Sequence, residues 1–141
     1  MEKQTVISLS IFILSTLLFT RLDFLVNSDF YHYGLQFNES WYTTFGIIYG
    51  LLYQLTIILL FLYSKNVSLF IFYEAFVLSC TQDLIFYGVW NNGIFPSGDW
   101  TWMPLYQTFG TWTTTHQILL SFLSLALAFF LKLVLRTLHI R

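Results

Sequence analysis

Long apolar runs separated by short polar segments dominate the hydrophobic pattern of this chain. Four such runs cover residues 6–26, 43–63, 67–90 and 113–134 of the 141-residue sequence. A helix needs about 20 mainly apolar residues to cross a hydrocarbon core of roughly 30 Å, and each run is long enough or nearly so. The pattern therefore predicts an all-α integral membrane protein, in which four transmembrane helices form one four-helix bundle and a single domain over residues 1–141.

Two longer connections, residues 27–42 and 91–112, separate the first helix from the second and the third from the fourth. The five tryptophans lie in or beside these two connections: Trp41, Trp90, Trp100, Trp102 and Trp112. Indole rings favour the headgroup level of a membrane. Residues 91–104 are also dense in turn-forming residues. We therefore expect two aromatic-rich loops on one face of the bundle, the second of them ordered and packed on the helices.

The basic residues predict the orientation of the chain in the membrane. Those that fall on the side of the two termini are Lys3, Lys65, Lys132, Arg136 and Arg141. Only Arg21 falls towards the other side. Because cytoplasmic loops carry an excess of lysine and arginine, both termini are predicted to be cytoplasmic, and the two aromatic connections are predicted to face outward.

Composition narrows the class of protein further. The chain is 57% hydrophobic, 21% aromatic and only 9% charged, whereas an average soluble domain has about 25% charged residues. A net charge of −1 without any basic run argues against nucleic-acid binding. Cys80 is the only cysteine, which excludes an intrachain disulfide and dithiol redox chemistry.

Ionisable side chains at membrane depth are the most informative positions, because each costs about 2.5–3.5 kcal/mol at the centre of a helix on insertion scales. Arg21, Asp23, Asp83 and His116 lie at similar depths below the predicted outer ends of the first, third and fourth helices. If the helices close into one bundle, these four side chains converge below the aromatic loops. The alternative is an ion pair of Arg21 with Asp83 that pins two helices together, with the other two side chains hydrated.

This polar layer supplies the candidate site residues. Asp83 and His116 are the candidates for an acid/base pair. The residues expected to bind a ligand are Arg21, Asp23, Gln82, Gln117, Trp90 and Trp112.

Glu74 is a second buried carboxyl, nine positions before Asp83 and nearly on the opposite face of the same helix. The two are about 13 Å apart along the axis, too far to act as a dyad. Glu74 is expected to pair with Lys132, to bond to neighbours at the level of Tyr73 and to helix 1 hydroxyls such as Ser8 or Ser10, or to remain protonated.

Motifs for metals and cofactors are absent from the sequence. No H-E-x-x-H or E-x-x-H spacing occurs, and neither a P-loop nor a dinucleotide fingerprint is present. No metal and no cofactor are therefore predicted.

Two functions of different classes remain open. The first is binding of a lipid-like or isoprenoid amphipathic ligand in an outward-side intramembrane cavity, with acid/base chemistry if catalysis occurs, so that enzymatic activity stays undecided. The second is a non-catalytic subunit or assembly factor of a larger membrane complex. The expected partners are membrane lipids, a lipid-like ligand, and either another membrane protein or a second copy of the chain.

Gly46 and Gly50 form a GxxxG spacing that permits close helix approach.

Overall fold

The computed structural model describes residues 3–32, 39–101 and 104–137, which contain helices and no strand. The helices are α1 Lys3–His32, α2 Glu39–Ser64, α3 Val67–Leu78, α4 Thr81–Ile85, α5 Pro104–Phe109 and α6 Thr114–Thr137, with a π-helical segment, Phe86–Trp90, directly after α4. By length and composition α1, α2 and α6 can each cross a membrane. The bent pair formed by α3 and α4 with the π-helical segment makes a fourth span if it is counted as one. The chain is thus consistent with a multi-pass membrane protein.

The first connection is shorter than the sequence predicts. α1 continues to His32 and α2 begins at Glu39, so much of the predicted loop over 27–42 is helical. Asn27 favours this continuation, because its side-chain Nδ2 donates to the carbonyl oxygen of Asp23 at 2.9 Å and to Asp23 Oδ1 at 2.8 Å, one turn earlier. The rest of that loop, residues 33–38, lies outside the described residues, as does Trp102.

A two-residue connection turns α2 back into α3. Lys65 adopts a left-handed φ of 51°, and its amide donates to the carbonyl oxygen of Phe61 at 2.7 Å. Asn66 then caps α3, because its Oδ1 accepts from the amide of Leu69 at 3.2 Å. Its Nδ2 also donates to Thr5 Oγ1 at 3.4 Å. The turn therefore holds α2 and α3 antiparallel and beside the first turn of α1.

The three helices α1, α2 and α3 share one apolar core. Its buried members are Phe12, Ile57, Leu60 and Tyr73. The rings of Phe12 and Tyr73 stack with centroids 4.1 Å apart. The Tyr73 hydroxyl is 3.1 Å from Ser8 Oγ, so the polar tip of this buried ring is satisfied within the core.

The structure divides the helix predicted over 67–90 into two. α3 ends at Leu78, α4 begins at Thr81, and the axis of Thr81–Trp90, which includes the π-helical segment, is bent by 66° from that of α3. Cys80 at the break has a left-handed φ of 53°, a conformation that non-glycine residues rarely adopt. The sequence has neither glycine nor proline at the break, so its cause is tertiary and is described below.

α6 occupies the periphery of this arrangement. It packs against α3 and α4, and within the described ranges its backbone does not come close to that of α1 or α2. Large apolar side chains remain exposed along α1, α2 and α6, which suits helices that face lipid.

Candidate functional site

Five polar side chains from α1, α2 and α4 form a cluster between these mainly apolar helices. We call this the polar cluster; its members are Thr16, Asp23, Tyr49, Tyr53 and Asp83. α1 packs against both α2 and α4, which brings the three elements together. The carboxylates of Asp23 and Asp83 lie close enough for their charges to interact, and both act electrostatically on the two tyrosine hydroxyls.

Helical spacing explains why these residues share one place. Thr16, Thr20 and Asp23 are four and three residues apart, so they lie on one face of α1. Tyr49 and Tyr53 are four residues apart and lie on one face of α2, with ring centroids 5.2 Å apart. Both faces carry polar groups into a region that is otherwise apolar.

Three hydroxyl groups of the polar cluster are buried side by side without a hydrogen bond of regular geometry. Tyr53 and Thr16 are only 1% and 2% exposed. The Tyr53 hydroxyl lies beside those of Tyr49 and Thr16, yet none of these oxygens has a hydrogen-bond partner of acceptable geometry. Gln82 Oε1, on the first turn of α4, is buried and unpaired as well. Each such group costs about 1–3 kcal/mol, so this concentration sets the region apart from ordinary core packing.

The polar cluster contains two acids and no described cation. The Arg21 guanidinium lies instead over the rings of Trp90 and Phe24, 5.1 Å and 5.4 Å from their centroids. The structure therefore does not form the ion pair of Arg21 with Asp83 that was one of the two expectations from the sequence. The described hydrogen bond to Asp23 comes from Asn27. Two acids without a counter-ion at membrane depth are costly.

Trp90 connects the end of the π-helical segment to α1. Its Nε1 donates to Thr20 Oγ1 at 2.9 Å, and Thr20 is fully buried. Thr20 Oγ1 in turn donates to the carbonyl oxygen of Thr16 at 2.8 Å. Arg21 and Trp90 thus border the polar cluster and fix α1 against the bent span.

Gln117 and Trp112 belong to a second group, at the break of the bent span. Gln117 is fully buried, and its Nε2 donates to the carbonyl oxygens of Ser79 at 2.6 Å and Cys80 at 3.0 Å. Trp112 Nε1 donates to Gln117 Oε1 at 3.0 Å. A helix break at membrane depth requires such partners for its freed backbone groups. This arrangement is the tertiary cause of the break.

His116 lies apart from Asp83. It is exposed at the start of α6, and its Nδ1 is 3.2 Å from both the amide nitrogen and Oγ1 of Thr113. Its ring centroid is 5.6 Å from that of Trp112. The described electrostatic partners of Asp83 are Asp23, Tyr49, Tyr53 and Cys80, and His116 is not among them, so the two candidates for an acid/base pair are not brought together.

The connection before α6 packs on the helices through Trp100 and Trp112. Trp100 is fully buried, and its Nε1 donates to Thr114 Oγ1 at 3.2 Å. The amide of Trp112 donates to Asp99 Oδ1 at 3.0 Å. The Trp100 ring also contacts Tyr87 of the π-helical segment, with centroids 5.1 Å apart. These contacts hold the connection against both α6 and the bent span.

Glu74 lies between α2 and α3, away from the polar cluster. Its Oε2 accepts from Gln54 Nε2 at 3.1 Å. This partner differs from those expected from the sequence, since Ser8 bonds to Tyr73 instead. Glu74 thus has a hydrogen bond to an amide, whereas Asp83 has none to any described side chain.

The described ranges also contain an apolar groove. It has a volume of about 340 Å³ and lies between α3, α5 and α6. Its lining includes Ile71, Ala75, Leu105, Leu120, Leu127 and Leu131. Within the described residues no three His, Cys, Asp or Glu side chains gather as a metal site would require.

Sequence reasoning found both acids of the polar cluster and missed its hydroxyls. It selected ionisable residues by depth and did not consider Thr16, Tyr49 or Tyr53. The four-and-three spacing of Thr16, Thr20 and Asp23 was the available signal.

No family model, curated protein or solved structure matches this chain.

Proposed function

We propose that this protein binds an amphipathic, lipid-like or isoprenoid molecule within the membrane, with the polar head of the ligand at the polar cluster. The observation that carries this proposal is the burial of Tyr53 and Thr16, unpaired, beside Asp23 and Asp83. Polar groups at membrane depth are costly and commonly serve function. A ligand head would supply the hydrogen bonds that the described protein groups do not.

The surroundings of the polar cluster suit the apolar body of such a ligand. Tyr53 contacts Phe19 with ring centroids 5.0 Å apart, and Tyr49 contacts Phe45 at 5.8 Å. Ligand sites combine apolar and aromatic walls with a few placed polar groups. Exposed leucines and isoleucines on α1 and α2 would let the ligand enter sideways from the lipid.

We further propose that the bent pair is one span, so that four transmembrane helices form a bundle with both termini in the cytoplasm. The distribution of Lys3, Lys65 and Lys132 supports this orientation. The aromatic connections then face outward, and the polar cluster belongs to the outer half of the membrane.

Acid/base chemistry is an extension of this proposal. Asp83 is the candidate that lies in the polar cluster, and Asp23 is the ionisable group beside it. Proton transfer to or from a bound alkene or ester would be the reaction class. Binding is the primary function, and turnover is a separate measurement.

Native mass spectrometry of protein purified in a mild detergent tests the proposal. We expect the wild-type protein to retain a small amphipathic molecule and Asp83→Asn to lose it. Glu74→Gln is the matched control, because it neutralises a carboxyl that lies outside the polar cluster. It should retain the molecule.

The same experiment addresses the alternative function. A stoichiometric, unrelated membrane protein that co-purifies without any small molecule would favour a subunit or assembly factor. Equal ligand retention in Asp83→Asn and the wild type would place the ligand away from the polar cluster and contradict the proposal.

A further inference from the structure

We propose that the apolar groove beside α6 binds an acyl chain of an anionic phospholipid, and that Lys132 and Arg136 bind the phosphate of the same lipid. The groove is formed by α3, α5 and α6, whereas the polar cluster is formed by α1, α2 and α4. This lipid site is therefore separate from the ligand site proposed above.

The groove has a floor of small side chains between large ones. Ser79 and Ala128 on its floor are each 3% exposed. Leu78 and Leu127, which also line it, are 72% and 58% exposed. The two leucines thus stand on either side of a recess that opens away from the helices. Because an empty recess forfeits dispersion contacts with its lining, hydrocarbon that fills it is stabilised there.

The dimensions of the groove fit one hydrocarbon chain. Its lining on α6 runs from Leu120 to Leu131, which is about 16 Å along the axis at 1.5 Å per residue. That length is about half of a hydrocarbon core of roughly 30 Å, the depth of one leaflet. A volume of about 340 Å³ over this length gives a mean cross-section of about 21 Å² and a width of about 5 Å. An α-helix with its side chains is about 10–12 Å wide, so the helix of a partner does not fit.

Two cations follow the groove along α6. Lys132 is four residues after Ala128, which lines the groove, and Arg136 is four residues after Lys132. Because residues four apart share a helix face, the row of side chains that lines the groove continues into the two cations. Both cations are exposed. Lys132 lies about 27 Å along the axis from the first residue of α6, near the edge of a core of roughly 30 Å. The two cations are therefore at the level of phospholipid head groups.

The elements that form the groove offer these cations no carboxylate. α5 and α6 contain neither Asp nor Glu. Glu74, the acid of α3, bonds to Gln54 of α2. A lipid phosphate supplies the missing charge, because lysine and arginine near a membrane surface attract anionic lipids, and arginine binds phosphate with two parallel hydrogen bonds. A zwitterionic lipid carries the same phosphate without a net charge, so charge complementarity favours an anionic lipid.

Two phospholipids with the same acyl chains test this proposal on the purified full-length protein in dodecyl maltoside. They are dioleoylphosphatidylglycerol, which is anionic, and dioleoylphosphatidylcholine, which is zwitterionic. Native mass spectrometry of a titration with each lipid gives the fraction of protein that carries it. We expect phosphatidylglycerol to bind about tenfold tighter. The preference should shrink when ammonium acetate is raised from about 0.1 M to about 1 M, because salt screens the charges.

Charge variants test the head-group contacts. Lys132→Gln and Arg136→Gln should each weaken binding of phosphatidylglycerol about fivefold and leave binding of phosphatidylcholine unchanged. Lys3→Gln is the matched control, because Lys3 is an exposed cation on α1, which α6 does not approach within the described ranges. It should keep the wild-type preference.

A second pair of variants tests the groove itself. Ser124→Leu places a large side chain in the groove and should weaken binding of both lipids. Ala126→Leu adds a similar side chain at an exposed position two residues later, on the other side of α6, and should bind both lipids as the wild type does.

Three results would overturn the proposal. The first is equal binding of the two lipids by the wild-type protein, and the second is unchanged lipid binding in Ser124→Leu. The third is a lipid-free dimer that dissociates in Ser124→Leu, which would place a second copy of the chain on the groove. Should Ser124→Leu fail to fold, Lys132→Gln and Arg136→Gln still decide, because they change exposed side chains. Each result leaves ligand binding at the polar cluster untouched, since no lining residue of the groove belongs to that cluster.

Discussion

The side-chain amide of Gln117 on α6 donates a hydrogen bond to the carbonyl oxygen of Ser79, with a donor–acceptor distance of 2.6 Å. Ser79 is the first residue after α3, where the bent span changes direction. The same Nε2 reaches the carbonyl oxygen of Cys80. One side chain of a neighbouring helix thus bonds to two carbonyl oxygens at the break; that of Cys80 also accepts from the backbone amide of Asp83 at 3.1 Å.

Gln117→Leu should destabilise the protein, because it removes the described side-chain partner of the Ser79 carbonyl oxygen and of Trp112 Nε1, whereas the Cys80 carbonyl oxygen keeps its bond from the Asp83 amide. Each unsatisfied buried group costs about 1–3 kcal/mol. Thermal unfolding in detergent measures the effect, and Leu119→Ala, at a position that is 53% exposed on the same helix, serves as control. A Tm for Gln117→Leu equal to that of the wild type would show that the break does not depend on this side chain.

Asp83→Asn should raise the Tm of the ligand-free protein, because it replaces a carboxyl that is disfavoured first by its burial and second by the charge of Asp23. Neighbouring charges typically couple by about 0.5–3 kcal/mol in a double-mutant cycle. We therefore expect the changes in unfolding free energy caused by Asp83→Asn and Asp23→Asn to be non-additive in the double variant. The changes caused by Asp83→Asn and Arg21→Gln should be additive. Strong destabilisation by Asp83→Asn, rescued by Arg21→Gln, would instead indicate an ion pair between Asp83 and Arg21.

Trp90→Phe should lower stability by about 1 kcal/mol, because the ring remains while the donor to Thr20 Oγ1 is lost. Thr20→Val should lower it similarly, and the double variant should lose less than the sum of the two. Val89→Ala, at an exposed neighbouring position, provides the baseline. Full additivity in detergent unfolding would contradict a direct Trp90–Thr20 interaction.

Gly46→Ala and Gly50→Ala should leave the Tm unchanged or raise it, because a Cβ atom at either position meets nothing within 4 Å in the described chain. Alanine also favours helix over glycine by about 1 kcal/mol in soluble helices. Size-exclusion chromatography should be unchanged as well. A smaller particle or a lower Tm for both variants would indicate that this face of α2 contacts a second copy.

Cysteine labelling should establish the orientation. Ser97→Cys should react with an impermeant reagent applied to the outer face, whereas Lys65→Cys should react only after permeabilisation, because both positions are exposed. The native Cys80, which is partly buried, supplies the background signal. The reverse pattern of labelling would invert the proposed topology.

Apolar run length was a sufficient guide to α1, α2 and α6, since a helix of about 20 residues is what the membrane requires. It was insufficient for residues 67–90. Nothing local marks Cys80 as a break, because the partner that stabilises the break is Gln117, 37 residues later. The extension of α1 to His32 likewise depends on a local bond between Asn27 and Asp23 that hydropathy does not register.

Depth along a helix was an incomplete guide to the candidate site. It selected Asp23 and Asp83, whose charges act on each other. It also suggested Arg21 and His116, whose side chains take other partners, because depth does not specify the direction of a side chain. Tyr49 and Tyr53 of α2 were not predicted as site residues, because a tyrosine in an apolar run is typical of a side chain that only packs in the core.

The position of Gln117 in the sequence has a consequence for biosynthesis. The core of Phe12, Ile57 and Tyr73 is complete once α3 has been made. The carbonyl oxygens of Ser79 and Cys80 meet their described side-chain partner only after residue 117 leaves the ribosome. A nascent chain truncated before α6 would therefore carry an assembled three-helix unit and a bend whose Ser79 carbonyl oxygen lacks its side-chain partner.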